Sequence, residues 1–193
     1  MKTEFECRFI NINLDEMRAK LAVSGFACTQ PEFLMQRQVF KIPTGDFNRE
    51  WLRLRHEFDG VSLTYKSRAH GGTNSVSSAR EIEISVGNFD DTRELLLASG
   101  MIQINSTENK REKWVKDNIE ICLDTWPGLE PYCEIESDSE DTVRQASASL
   151  GFDYNDAMFG NVVEVYERVL GIPTDKFHDM TEITFANPPK KFD

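Results

Sequence analysis

Glu4-Phe5-Glu6-Cys7-Arg8-Phe9 places charge and hydrophobe on alternate positions. A β-strand turns its side chains to opposite faces every two residues, so Glu4, Glu6 and Arg8 share one face and Phe5, Cys7 and Phe9 the other. The same alternation recurs along the chain. Arg53 and Arg55 alternate with Leu52 and Leu54, and Thr64 and Lys66 with Leu63 and Tyr65. Glu81 and Glu83 alternate with Ile82 and Ile84, and Arg111 shares a parity with Lys113. Glu120, Cys122 and Asp124 alternate with Ile119, Ile121 and Leu123, while Glu134 and Glu136 flank Ile135. A shorter segment, 35–40, carries Arg37 among apolar neighbours. These segments predict about eight strands, each with one charged and one apolar face.

Helical spacing separates them. Leu14, Met17 and Leu21 recur on one face, with Asn13 placed as the N-cap, Glu16 three residues on and Gly25 as the stop. A second helix is expected over 92–99, ended by Gly100, and a fourth over 162–170, ended by Gly171 and Pro173. Ser137 with Glu140 reads as a capping box opening the third, whose Val143, Ala146 and Leu150 line one face before Gly151. A weak internal repeat emerges: an acidic strand precedes a helix three times, and each helix ends in Gly25-Phe26, Gly100-Met101 or Gly151-Phe152. This suggests two related halves closing on one another, completed by a third acidic strand. The expected organisation is a single domain over 1–184, with loops at 43–48 and 70–78 and a frayed tail over 185–193.

The chain has 193 residues, enough for a substantial core without staples. No apolar run approaches the roughly eighteen residues of a membrane span. The first ten residues lack a signal peptide's layout, so a cytoplasmic protein is expected. Cys7, Cys28, Cys122 and Cys133 have neither disulfide-framework nor zinc spacing and read as reduced thiols. A net charge of −11 argues against a nucleic-acid surface but leaves room for a small polyanion.

The charges come in blocks of one sign per strand, unlike the mixed signs of a solvated face. Glu-x-Glu sets two carboxylates roughly 7 Å apart on one face. Such neighbours resist ionising together unless a cation lies between them, and hard ions such as Mg²⁺ or Mn²⁺ take oxygen ligands. Arg and Lys blocks neutralise a highly charged anion, Arg with bidentate contacts to phosphate oxygens. Closing the sheet would collect both signs in one lumen, with helices covering the apolar outside. Such a lumen suits a phosphate chain bridged by metal.

The ordered series resembles the CYTH superfamily, the triphosphate tunnel metalloenzymes. It runs through Glu4-x-Glu6-x-Arg8, Leu52-Arg53-Leu54-Arg55, Leu63-Thr64-Tyr65-Lys66 and Arg80-Glu81-Ile82-Glu83. It continues with Lys110-Arg111 before Trp114, Leu123-Asp124 and Glu134-Ile135-Glu136. The resemblance spans nearly the whole chain. It implies an α+β fold, a closed antiparallel β-barrel of about eight strands with helices packed outside. It implies Glu4, Glu6, Asp124, Glu134 and Glu136 as metal carboxylates for Mg²⁺ or Mn²⁺, and Arg53, Arg55, Lys66, Arg111 and Lys110 as the triphosphate cradle. Glu81 and Glu83 match acidic positions that orient the bases or hold a second ion. Arg8, with Glu4 and Glu6, falls in the catalytic signature, where the family has Lys in place of Arg8. Arg is always charged and cannot act as a tunable acid or base, though it can orient phosphate oxygens.

His56 falls on an apolar parity and reads as packed or surface, and His70 and His178 have no partner at a telling spacing. Gly71-Gly72 reads as plain loop. Trp51, Trp114 and Trp126 could stack on a ring, with core or rim packing the ordinary use of each. The expected function is metal-dependent hydrolysis of inorganic, thiamine or nucleoside triphosphate. The alternative is a class IV adenylate cyclase making cyclic AMP and pyrophosphate from ATP, and no pattern here specifies adenine. A triphosphate- or polyphosphate-binding module without catalysis is the third reading. An uncovered sheet surface would support a homodimer.

Overall fold

The computed structural model describes residues 5–46, 50–68, 79–160 and 162–192, without the side chains of 68 and 79–81. Among the described residues nine strands form: β1 (Phe5–Phe9), β2 (Ala27–Lys41), β3 (Glu50–Glu57), β4 (Gly60–Arg68), β5 (Ala79–Val86), β6 (Ile102–Lys116), β7 (Ile119–Thr125), β8 (Tyr132–Ser137) and β9 (Glu182–Ile183). The helices are α1 (Leu14–Val23), α2 (Phe89–Ala98), α3 (Glu140–Ser149), α4 (Val162–Leu170) and α5 (Thr174–His178), with a 3₁₀ turn at Tyr154–Asp156. The hydrogen-bonded order is β1-β8-β7-β6-β2-β3-β4-β5, with β9 beside β6. Successive pairs such as β1–β8, β7–β8, β6–β7 and β3–β4 are antiparallel, and the two-residue β9 is parallel to β6. The path ends at β1 and at β5. The pairing therefore establishes an antiparallel α+β sheet, and the closed barrel expected from the sequence goes beyond it.

The chain falls into two compact units: Met1–Phe33 with Asn109–Met180 and Phe185–Asp193, and Leu34–Glu108 with Thr181–Thr184. In the first, α1 and α3 cover the apolar face of β1, β8 and β7. Met17 and Leu21 from α1 and Val143, Ala146 and Leu150 from α3 pack with Cys7, Phe9, Ile121, Leu123, Cys133 and Ile135. Phe9 and Phe152 stack with ring centroids 4.1 Å apart. Ile135 is fully buried there, so Ile135→Ala should cost about 2–5 kcal/mol through lost burial and the cavity left behind, read as a lower denaturant midpoint at unchanged slope. In the second unit, α2 places Leu96 against Phe40 and Leu54, with Leu52, Leu63, Val86 and Met101 around them. Ile82 and Ile84 on β5 stay exposed.

The repeated helix endings are one motif used three times. Gly25, Gly100 and Gly151 take φ of 80°, 86° and 85°, the left-handed region that a Cβ penalises. The following residue closes a six-residue bond in each case: Phe26 N to Leu21 O, Met101 N to Leu96 O and Phe152 N to Ser147 O, all at 3.0 Å. These are Schellman caps, and the apolar residue after each glycine folds back on its helix.

Some local expectations shift. Asn13 caps α1 as expected, accepting from the Asp15 and Glu16 amides. The third helix is capped by Ser139, whose hydroxyl accepts from Thr142 N, because Ser137 is still in β8 and donates to Asn118 O. The second begins at Phe89 behind Asn88, three residues earlier than its spacing suggests. The short strand around Arg37 is the end of the fifteen-residue β2. In the segment expected to fray, Phe192 N donates to Leu170 O at 2.8 Å, and Lys110 Nζ lies 5.6 Å from the Phe185 ring centroid. The loop at 70–78 and residues 47–48 of the other loop lie outside the described residues.

Candidate active site

In the first unit the cross-strand register sets the charged face in rows. Arg111 pairs with Asp124, which pairs with Tyr132. Lys113, Cys122, Glu134 and Arg8 follow in the next row, and Glu120, Glu136 and Glu6 in the one beyond. Each strand thus delivers its alternate residues to one surface, and pairing makes neighbours of residues far apart in the chain.

Arg8 is 6% exposed. Its Nη2 lies 2.6 Å from Glu134 Oε2 and 3.1 Å from Glu6 Oε1, while Nη1 donates to the Gly160 carbonyl. The backbone of Arg8 exchanges hydrogen bonds with Met158, at 2.8 and 2.9 Å, along the strand edge facing away from β8. Burial opposes the charge on Arg8, but Glu134 and Glu6 outweigh it and hold the guanidinium protonated above its ordinary range. Arg111 grips Asp124 with two bonds, Nε to Oδ1 at 2.8 Å and Nη2 to Oδ2 at 2.6 Å, and reaches Glu134 Oε1 at 3.3 Å. Asp124 is fully buried and also accepts from Asn109 Nδ2 at 3.0 Å. Burial pushes the Glu134 carboxyl above the usual glutamate range, and Arg111 and Arg8 pull it only part of the way back.

Glu6, Glu134 and Glu136 each bring one carboxylate oxygen within 4.8 Å of the others. The donors are all oxygen, which fits a hard divalent cation such as Mg²⁺ or Mn²⁺. Asp124 is not in this group: it serves Arg111 and Asn109. Glu4 lies outside the described residues.

In the second unit Arg53 pairs with Thr64 and Arg55 with Ser62 across β3 and β4, and Thr64 pairs with Glu83. Glu83 Oε2 stands 3.8 Å from both Arg53 Nη2 and Arg55 Nη2 and accepts from Thr64 Oγ1 at 2.7 Å. Glu83 is thus within ion-pair distance of both arginines. Arg55 Nε also meets Glu57 at 2.6 Å. Lys66 follows on the same face, in register with Glu81, whose side chain lies outside the described residues.

In the first unit, Lys110 does not share the face of Arg111. Adjacent strand residues point oppositely, so with Arg111 turned to Asp124, Lys110 faces the other way and meets Glu32 at 3.5 Å. Trp114 shares that side and donates to Glu112 at 2.6 Å, where Arg18 also binds the carboxylate at 2.8 Å. His56 sits on the apolar face 6.2 Å from Phe89, and His178 lies 6.2 Å from Phe177. Trp126 is 7% exposed and serves the core. His70 and the Gly71-Gly72 pair lie outside the described residues.

Trp51 faces differently. It pairs with Lys41 on one side and Lys66 on the other, on the face of Arg53 and Arg55. Tyr132 and Glu120 carry no site role in the sequence pattern, yet both stand on the charged face of the first unit. Tyr132 extends the acidic strand as Tyr-x-Glu-x-Glu, is 2% exposed, and burial with Asp124 and Glu134 nearby pushes its phenol well up. It therefore stays protonated. Glu120 occupies the row of Glu6 and Glu136 and pairs with Lys113 at 2.9 Å. Carrying the period of two one step back from Glu134 reaches Tyr132, and Glu120 already stands in the alternation with Cys122 and Asp124.

The CYTH domain model matches residues 2–157, a span that holds every residue of both charged faces. The chain belongs to the CYTH family. A candidate adenylate cyclase from Vibrio parahaemolyticus superimposes with a TM-score of 0.62 at 13% identity, over 86% of this chain and 98% of that one. The PH1819 protein of Pyrococcus horikoshii OT3 gives 0.56 at 24% identity, over 86% and 99%. A conserved hypothetical protein from Pyrococcus furiosus gives 0.57 at 17%, over 81% and 95%. At these identities the likeness speaks for the fold alone. No protein of curated function matches this sequence. Among the described residues of this CYTH protein, no helix is long and apolar enough to cross a membrane.

Proposed function

We propose that this CYTH protein is a divalent-metal-dependent phosphohydrolase acting on a triphosphate. The observation that carries the reading is the clustering of Glu6, Glu134 and Glu136 beside Arg8, so that acids for metal and a cation for phosphate share one face. Mg²⁺ or Mn²⁺ held by those carboxylates would draw charge from phosphoryl oxygens. Arg8 and Arg111 orient phosphate oxygens and stabilise the charge that builds on them. Arg8 takes up no proton: Glu134 and Glu6 keep it charged, so it serves as an electrostatic group where the family carries a lysine. Arg53, Arg55 and Lys66 bind phosphate in the second unit, with Glu83 setting the two arginines. A carboxylate of the first unit, with Glu6 the most accessible of those bound to Arg8, orients the attacking water.

Trp51 supports a substrate that carries a ring. An indole on a charged face between two lysine positions stands where a ring of the substrate could stack on it. That keeps open the second reading, a class IV adenylate cyclase, in which a ribose hydroxyl replaces water as the nucleophile. Incubation with Mg²⁺ or Mn²⁺ and inorganic triphosphate, thiamine triphosphate or ATP separates them. Orthophosphate identifies a hydrolase, cyclic AMP with pyrophosphate identifies a cyclase, and binding without products overturns both. Trp51→Ala should raise KM for thiamine triphosphate or ATP about tenfold and leave inorganic triphosphate within about twofold, since stacking contributes roughly 1–3 kcal/mol. Equal effects on all three would place Trp51 outside ring recognition.

A further inference from the structure

The guanidinium of Arg8 stands where a metal would have to compete with it. One nitrogen, Nη2, bridges Glu134 Oε2 at 2.6 Å and Glu6 Oε1 at 3.1 Å, two of the three carboxylates grouped within 4.8 Å. A divalent cation and that nitrogen draw on the same two carboxylates, and they repel each other at such distances. The other arm, Nη1, is taken by the Gly160 carbonyl. Nε has no acceptor among the described residues, although the side chain is only 8% exposed. A buried charged donor left without an acceptor is costly, and an anionic oxygen would satisfy it. Arg8 thus neutralises the carboxylates in the absence of metal while keeping one donor unmatched.

We propose that Arg8 is an internal counter-ion for the metal carboxylates and makes anion and metal binding interdependent. A phosphate oxygen draws the guanidinium away from Glu6 and Glu134, and the released carboxylates then take the cation. The protein binds metal weakly alone and tightly with its anion. By linkage the metal tightens the anion by the same factor. The fork of Arg is what allows this. Two nitrogens, Nη1 and Nη2, reach Gly160, Glu134 and Glu6 together, whereas the single ammonium of a lysine cannot hold three acceptors in that arrangement and leaves the carboxylates more open. The inference rests on the proposed metal site and adds an order of events to it.

The test is Mn²⁺ binding, followed by the spin-resonance signal of the free ion. Arg8→Lys keeps the charge and should bind Mn²⁺ alone about tenfold more tightly than the wild type, with Arg8→Met tighter still. Adding inorganic triphosphate should narrow the gap between wild type and Arg8→Lys, because the anion releases the wild-type carboxylates, while solution chelation is common to both and cancels. Equal affinity of wild type and Arg8→Lys for Mn²⁺ alone overturns the counter-ion role. If Mn²⁺ binding to Arg8→Met is unchanged by adding Glu136→Gln, the metal site itself is wrong, which is a separate failure. A measurement on the wild type alone stands independent of any variant's folding. The ¹⁵N–¹H signal of Arg8 Nε should shift on adding inorganic triphosphate without metal, and a static signal would refute the switch.

Discussion

Glu134→Gln should lower metal-dependent triphosphate turnover by on the order of 10³-fold or more, a loss comparable to removing a principal charge-stabilising group from an active site. Glu134 connects the whole first-unit network. It meets Arg8 at 2.6 Å and Arg111 at 3.3 Å, and it is one of the three carboxylates that could hold metal. Glutamine keeps the volume and one carbonyl oxygen but carries no charge, so the cation loses a ligand and both arginines lose a counter-ion. The fold should survive, because burial works against this carboxylate's charge and raises its pKa. In the metal-free protein the native state binds more protons than the unfolded chain between the ordinary glutamate pKa and the raised one. Wild-type stability therefore falls as pH rises through that window. The Gln variant lacks this dependence, so its stability relative to wild type should improve over the same window in denaturant unfolding at stepped pH. Turnover within tenfold of wild type would remove Glu134 from the metal site.

Arg111→Met should produce the largest loss of stability among single changes in this network, about 3–5 kcal/mol. Asp124 has a fully buried side chain, and Arg111 supplies two of its hydrogen bonds, at 2.8 and 2.6 Å. Methionine fills much of the volume but strands the carboxylate with Asn109 as its remaining side-chain donor among the described residues. For a chain of this size the corresponding fall in Tm is roughly 6–20 °C. Adding Asp124→Asn should recover a good part of the loss, since the stranded charge is then gone. A single variant within about 1 kcal/mol of wild type, or no recovery in the double variant, would show that the pair is not the buried ion pair seen here.

Much of the fold is legible in the alternation itself. The period of two assigns Glu6 and Arg8 to one face of β1 and Cys7 and Phe9 to the other, and the helices on the apolar side follow from the need to bury those residues. The three Gly-apolar pairs foretell three identical helix caps, because a left-handed φ strongly favours glycine at the same step each time. The same rule places Lys110 on the face opposite Arg111. Where the third helix starts is less legible, since Ser137 and Ser139 carry the same capping hydroxyl and only the end of β8 chooses between them.

The sequence by itself determined the faces, the caps and the family series from Glu6 to Glu136. Only the tertiary structure decided the partners. Parity says which side a residue faces, but register between strands distant in the chain says whom it meets, and register depends on pairing that no local pattern encodes. Arg8 opposes Glu134 because β1 pairs with β8, and Arg111 takes Asp124 because β6 pairs with β7. Trp51 is set between lysines for the same reason. The sequence marks Arg8 as a departure from the family's lysine. The fold shows a guanidinium held by two carboxylates and a backbone carbonyl, an arrangement that depends on its branched donors.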